Sequence, residues 1–253
     1  MTEQPISVTT VAEGIARISW TSDQPVDVVR HEVASALAGH ARVEALVDPD
    51  DEAGQRIATW SGLRREGVMR GVTVEGRTVD RIVYARLATD EPVHEPQGFR
   101  ALLNSFLPRK RAISQMLIRD GDERVLLCQL TYKQDWDLPG GVVEVGESPQ
   151  LAVAREVEEE LGLQVEPGSL LLTDWLPPWS GWDDALCLVF DGGAHDASIT
   201  DAIVRQTREI RSAEFCTPDQ VRERCADFTA RRIASALANL GGGRPAYVES
   251  GGA

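Results

Sequence analysis

Basic residues are in short supply in this 253-residue chain: 26 Lys and Arg stand against 40 Asp and Glu, a formal net charge of -14. So acidic a surface repels phosphodiester backbones and anionic lipid, which excludes a general nucleic-acid or membrane-surface partner. A small anionic ligand is still admitted wherever a divalent cation or an arginine neutralises it. Cysteine is scarce as well. Cys128, Cys187, Cys216 and Cys225 lie far apart with no C-x-x-C pair, so a disulfide frame or zinc site is disfavoured. They read as reduced, packed thiols of a cytoplasmic protein. No apolar stretch reaches membrane-spanning length, and residues 1–10 have neither the basic start nor the apolar core of a signal peptide. With 42% apolar and 26% charged residues the chain can bury a core, and its length suits two domains.

The composition shifts between Asp90 and Arg111, where Pro92, Pro96, Gly98 and Pro108 interrupt the pattern around a short apolar stretch and Arg109-Lys110-Arg111 closes it. This divides the chain into a first domain at 1–90, a linker with one short helix at 91–110, a second domain at 111–240 and a loose Gly-rich tail at 241–253. In the first domain, alternation predicts strands at 15–20 and 42–47, and helical periods predict helices at 28–37 and 52–60, before two more strands at 67–74 and 78–87. In the second, strands at 113–118 and 125–130 form a hairpin. A turn at Pro139-Gly140-Gly141 leads to a helix at 149–161, strands fall at 170–176 and 185–190, and 218–240 is mostly helical in period. Helices and strands mix without a regular βαβ beat, so the fold class is α/β in the α+β sense, an α/β/α sandwich beside a smaller α/β domain.

The stretch from Gly141 to Leu163 carries the chemistry. On the predicted helix, Glu156, Glu159 and Glu160 fall within about 100° of one another, so three carboxylates share a face, while Leu151, Ala154, Val157 and Leu161 occupy a core arc on the other side. Unrelieved like charges three and four residues apart destabilise a helix, and a divalent cation relieves them. For a bare Glu-rich run, a solvated acidic face is the alternative. The wider spacing resembles the Nudix box, G-x5-E-x7-R-E-U-x-E-E-x-G-U with U a bulky aliphatic residue. Gly141, Glu147, Arg155, Glu156, Val157, Glu159, Glu160, Gly162 and Leu163 fill every defined position. The lead-in Trp136-Asp-Leu-Pro-Gly-Gly141 and the Glu209-Ile210 pair followed by Phe215 also look like that family's surroundings.

The resemblance implies the Nudix fold and a Mg2+- or Mn2+-dependent pyrophosphohydrolase. Its metal ligands would be Glu156, Glu159 and Glu160 with the Gly140 carbonyl. Gly141, Glu147 and Gly162 would be structural, and Arg155 would pair with Glu147. Glu156 or Glu159 is the first choice for the base, with Asp196, Asp201 and Glu209 as downstream candidates. The substrate would be a nucleotide-type small molecule, a nucleoside diphosphate linked to another moiety. Pro178 resembles the proline of the ADP-ribose pyrophosphatase subgroup. Around it, Trp175, Trp179 and Trp182 read equally as base-stacking residues and as core anchors. A Nudix-fold module that senses a ligand without turnover is the alternative function.

Residues 12–90 resemble the carboxy-terminal half of a GNAT-type N-acetyltransferase, through 43–56, 61–70 and 80–84. A working acetyltransferase opens a helix with a Gly-rich loop whose bare N–H groups receive a pyrophosphate. Here the corresponding Trp20-Thr-Ser-Asp-Gln-Pro-Val-Asp27 has no glycine and two acids. The first domain therefore reads as a truncated, inactive remnant that serves packing, homodimerisation or regulation.

Overall fold

The computed structural model describes residues 5–74, 76–242 and 244–252. Met1–Gln4 of the amino-terminal stretch, and Gly243 and Ala253 of the expected tail, lie outside them. The chain forms two compact units, Met1–Pro108 and Arg109–Ala253. Among the described residues, no helix is long and apolar enough to cross a membrane.

The first unit is a five-stranded sheet with three helices. Strands β1 (Ile6–Ala12), β2 (Ile15–Trp20), β3 (Arg42–Val47), β4 (Arg64–Val74) and β5 (Arg77–Leu87) run in the order β1-β2-β3-β5-β4. Among the described residues only β2 and β3 are parallel, with helix α1 (Val26–Leu37) between them in sequence, and α2 (Glu52–Trp60) joins β3 to β4. Ile18, Val29, Val33, Val43, Ile57, Leu63 and Tyr84 form the core. Strand β1 has no counterpart in the sequence reading because its Ile-Ser-Val-Thr-Thr-Val-Ala run lies mostly exposed at an edge and does not alternate in burial. The segment read as a linker holds helix α3 (Pro96–Phe106), which buries Leu102. The Ser105 Oγ accepts the N–H of Arg65 on β4 at 3.1 Å, so α3 belongs to the first unit.

The second unit is a sandwich of mixed α/β type. Strands β6 (Arg111–Asp120), β7 (Val125–Leu130), β10 (Leu170–Leu176), β11 (Ala185–His195), β12 (Ile210–Cys216) and β13 (Ala246–Glu249) run in the order β12-β7-β6-β11-β10-β13. Two short strands lie off this path: β8 (Trp136–Asp137) on β7 and β9 (Gly140–Val142) on β6. The period of two in β6 and β7 serves both faces of the sheet. Met116, Ile118, Leu126 and Cys128 pack with Val153, Val157 and Leu161 of helix α4 (Pro149–Leu161). Leu117, Val125 and Leu127 pack on the opposite side with Val221 of α5 (Pro218–Arg224) and Ile233 of α6 (Asp227–Ala238). All four cysteines are buried.

The second unit refines one expectation and corrects another. The helical period at 218–240 resolves into two helices, because Cys225 and Ala226 are extended and Cys225 forms a parallel bridge with Trp136. The apolar period continues across the break and hides it. Residues 246–249 of the expected loose tail form β13, parallel to β10 with Leu172 opposite Ala246 and Asp174 opposite Val248. Arg231 holds the residues beyond β13, donating to the carbonyls of Ser250 (2.8 Å) and Gly252 (3.1 Å).

Candidate active site

Helix α4 starts where its residues dictate. Ser148 is extended and accepts the Leu151 N–H at 3.3 Å, Pro149 supplies a preset φ at the first turn, and Gly162 ends the helix in the left-handed region at φ +67°. Its buried residues are Ala152, Val153, Val157, Glu160 and Leu161. Two members of the expected core arc fall away: Leu151 is 66% exposed and Ala154 only half-buried. The carboxylates do not stand on a face of their own, since Glu160 lies in the middle of the buried arc at 5% exposure. Strand β9 packs against α4 on this side, so the face that should be wet is covered by the glycine loop.

Glycine at 140 and 141 permits that cover. Gly140 has φ +136°, and a Cβ there would strike the backbone carbonyl of Ser114 on β6. A Cβ at Gly141 would come within 2.5 Å of the Glu156 carboxyl carbon. The Gly140 N–H donates to Glu160 Oε2 at 3.0 Å. Burial pushes the Glu160 carboxyl up to about 8 against that hydrogen bond, and the charges of Glu156, Glu209 and Asp137 add to the rise. Burial also pushes Glu156 upward, against Arg155, with Glu159 and Glu209 adding to it. Glu159 differs in being open to solvent, its side chain 61% exposed.

Arg155 organises the rest. Its Nε and Nη2 grip Glu147 at 2.9 and 3.0 Å, a bidentate pair that holds Glu147 below the usual carboxylate range. The Nη1 donates to Glu156 Oε1 at 2.9 Å and Glu159 Oε2 at 3.1 Å. Glu147 Oε2 also accepts the Glu144 N–H at 3.2 Å, which ties the loop to the helix. Among the described residues, no group of three Asp, Glu, His or Cys side chains is gathered so as to hold a metal ion. Arg155 holds two of the carboxylates and Gly140 the third.

Of the downstream acids, Glu209 acts on the site through its charge on Glu156 and Glu160. Asp196 instead caps a 3-10 turn, accepting the Ser198 N–H at 2.9 Å, and Asp201 lies exposed in that turn. Trp175 is half-buried, its Nε1 3.4 Å from Asp184. Pro178, Trp179 and Trp182 are exposed. The two indoles flank a tight turn in which Ser180 (φ +50°) and Gly181 (φ +87°) are left-handed. Trp179 meets the Phe228 ring edge-on at 5.9 Å, and the Arg111 guanidinium lies 4.7 Å from the Trp182 ring centre. Lys110 pairs with Asp184, so two members of the basic triplet serve this end of the sheet. The sequence reading did not single out Tyr132, an exposed phenol that feels the charges of Glu160, Asp137 and Glu209. It sits on an irregular loop after β7 with no motif to mark it.

The two glycines separate by substitution. Gly141→Ala meets only the end of a flexible side chain, so the fold should survive with turnover reduced by about tenfold or more as Glu156 is displaced. Gly140→Ala meets backbone and a left-handed φ, and should lower the melting temperature by several degrees, about 5 °C. Thermal melts beside rate assays check both, and an unchanged rate in Gly141→Ala would contradict the role of that close approach.

The NUDIX domain family matches residues 108–237, just over half of the chain. Residues 1–107 lie outside that match, and the acetyltransferase resemblance finds no support from it. A MutT-like protein of Streptomyces ambofaciens is 32% identical over 130 residues, covering 51% of this chain and 78% of that protein. The nucleoside triphosphatase NudI of Escherichia coli is 34% identical over 115 residues, 42% of this chain and 77% of that protein. Among solved structures, a MutT protein from Methanosarcina mazei Go1 aligns with 22% identity over 54% of this chain and 99% of its own, with a TM-score of 0.46. The chain belongs to the Nudix hydrolase family, a family of pyrophosphohydrolases acting on nucleotide-type substrates.

Proposed function

We propose that the chain hydrolyses a pyrophosphate bond in a nucleoside diphosphate linked to another moiety, ADP-ribose-like compounds among them, with Mg2+ or Mn2+. The observation that carries this reading is Glu160, a carboxyl buried in the helix face beside Glu156 with a backbone N–H as its polar contact. A buried acid without a cation protonates, and a hard divalent ion answers it. Glu156, Glu159, Glu160 and the Gly140 carbonyl would hold the metal, all oxygen donors. When bound, such an ion neutralises phosphate charge and lowers the pKa of the attacking water.

The chain's own residues do the rest. Arg155 keeps Glu147 on the loop, and the Glu156 and Glu159 oxygens that its Nη1 holds would be the ones to turn to a bound ion. Glu156 or Glu159 would take the proton of the attacking water, with Glu209, whose charge acts on Glu156 and Glu160, as the downstream candidate. Trp179 and Trp182, exposed on their tight turn, would stack on a nucleobase, with Trp175 and Pro178 close by in sequence. Purified protein with Mg2+ should cleave at least one of ADP-ribose, NADH, a sugar nucleotide, a dinucleoside polyphosphate or a nucleoside triphosphate, and EDTA should abolish it. Failure on all of them would favour the ligand-sensing alternative. At pH 7, Mg2+ binding should release about one proton as Glu160 ionises. Calorimetry in two buffers of different ionisation enthalpy reads this, and binding without proton release would remove Glu160 from the ligand set.

The first unit we read as an inactive acetyltransferase remnant that contributes packing or a homodimer contact. Its β2–α1 connection is closed by its own side chains, with Thr21 Oγ1 2.5 Å from Asp23 and Ser22 Oγ 2.7 Å from Asp51. The Val28 and Val29 N–H groups both donate to the Pro25 carbonyl. Titration calorimetry should show no acetyl-CoA binding tighter than about millimolar. Micromolar affinity would restore a bifunctional enzyme.

A further inference from the structure

A chain of buried polar side chains runs from β13 to the glycine loop, far from the box in sequence. Asp174 on β10 accepts the Gly251 N–H at 3.0 Å through Oδ1, and its Oδ2 accepts Arg232 Nε at 2.7 Å. Arg232 Nη1 donates to Gln115 Oε1 at 3.0 Å. The Gln115 Nε2 donates to Asp137 Oδ1 at 2.8 Å, and that oxygen also accepts the Leu138 N–H at 3.0 Å. Lys133 closes the far side, its Nζ 2.7 Å from Asp137 Oδ2. Asp174, Arg232, Gln115 and Asp137 are all buried.

Burial alone would push Asp137 upward, but the Lys133 and Arg232 charges outweigh it and hold the carboxyl below its usual value. Stability does not call for such a cluster. Desolvating paired charges offsets most of their attraction, and apolar residues of like volume commonly serve as well. One donor, Arg232 Nη2, has no acceptor among the described residues.

What the cluster does hold is the loop before the box. Gln115 stands opposite Gly140 in the β6–β9 ladder, so the residue whose side chain grips Asp137 has its backbone beside Gly140. The next residue, Met116, donates its N–H to the Pro139 carbonyl at 3.0 Å. The loop is thus fixed twice, at Asp137 by a side chain and at Pro139–Gly140 by a strand. Its product is the Gly140 N–H aimed at Glu160.

We propose that Arg232, Gln115 and Asp137 are positioning residues: a buried relay from α6 through β6 to β8 that sets the Gly140 backbone against Glu160. As far as it concerns metal binding, this rests on the hydrolase reading above. The placement of the loop stands apart from it.

The test uses the full chain. Gln115→Glu keeps the size and the acceptor for Arg232 but cannot donate to Asp137. By NMR hydrogen exchange without metal, the Gly140 amide should exchange faster by about tenfold or more, while the Val157 and Leu161 amides of α4 stay protected. Mn2+ followed by EPR should bind more weakly by about fivefold or more. Asp137→Asn retains the oxygen that Gln115 and Leu138 use and should keep the Gly140 exchange close to that of the parent protein. If Gln115→Glu fails to fold, Arg232→Lys, which keeps the charge beside Asp174 but cannot also reach Gln115, should raise Gly140 exchange in the same direction. Unchanged Gly140 exchange in folded Gln115→Glu or folded Arg232→Lys would overturn the relay. A parent protein that cleaves none of the nucleotides would sink the hydrolase reading while the exchange experiment still decides this one.

Discussion

Glu160→Gln is expected to abolish turnover, by at least about 100-fold, while making the metal-free protein more stable at alkaline pH. The two effects oppose because one carboxyl is needed for the ion and is a burden without it. Its value rises from 4.5 to about 8 on folding, so the folded chain holds this proton more tightly than the unfolded chain does. The stabilisation is fully present below about pH 4.5 and is lost as pH climbs through about 8. Glutamine stays neutral throughout. The variant should therefore match the parent near pH 5 and exceed it at pH 9 by on the order of 2–4 kcal/mol in EDTA. Denaturant melts at the two pH values read this. A variant no more stable at pH 9 would mean that Glu160 ionises freely in the fold.

Arg155→Ala is expected to fail in the opposite way, through the fold. One guanidinium serves Glu147, Glu156 and Glu159, so its loss leaves three carboxylates facing one another without a cation. A melting temperature lower by about 5 °C, roughly 2 kcal/mol, is the expected outcome in EDTA. Mg2+ should recover part of it by replacing the lost charge at Glu156 and Glu159, though not at Glu147. Loss of activity with an unchanged melt and unchanged metal affinity would show that Arg155 acts on the substrate directly.

The box helix was legible in the sequence because its signals are local. Ser148, Pro149 and Gly162 punctuate it, and the spacing of its acids and arginine is fixed by one helical period. The burial of Glu160 was not legible. A helical wheel assigns acids to water, and only the approach of β9, permitted by the missing Cβ atoms at Gly140 and Gly141, covers that face. The same limit hid the relay. Arg232 and Gln115 meet across 117 positions of sequence, and neither stands in a motif. Likewise, β13 has four residues whose pairing with β10 comes from tertiary packing, while the Gly-rich sequence around them reads as tail. Asp196, Asp201 and Glu209 are alike as acids in a loop, and only their placement separates Glu209 from the others.

Glu159 gives the most direct test of the central claim, because its exposed side chain lets its charge be removed without disturbing the core. The measurement is the steady-state rate of Glu159→Gln beside the parent protein, with Mg2+ and whichever nucleotide the parent cleaves best. A fall of at least about 100-fold with an unchanged melting curve is the expected result. A rate within a few-fold of the parent would contradict the assignment of the α4 carboxylates as the metal-binding catalytic centre.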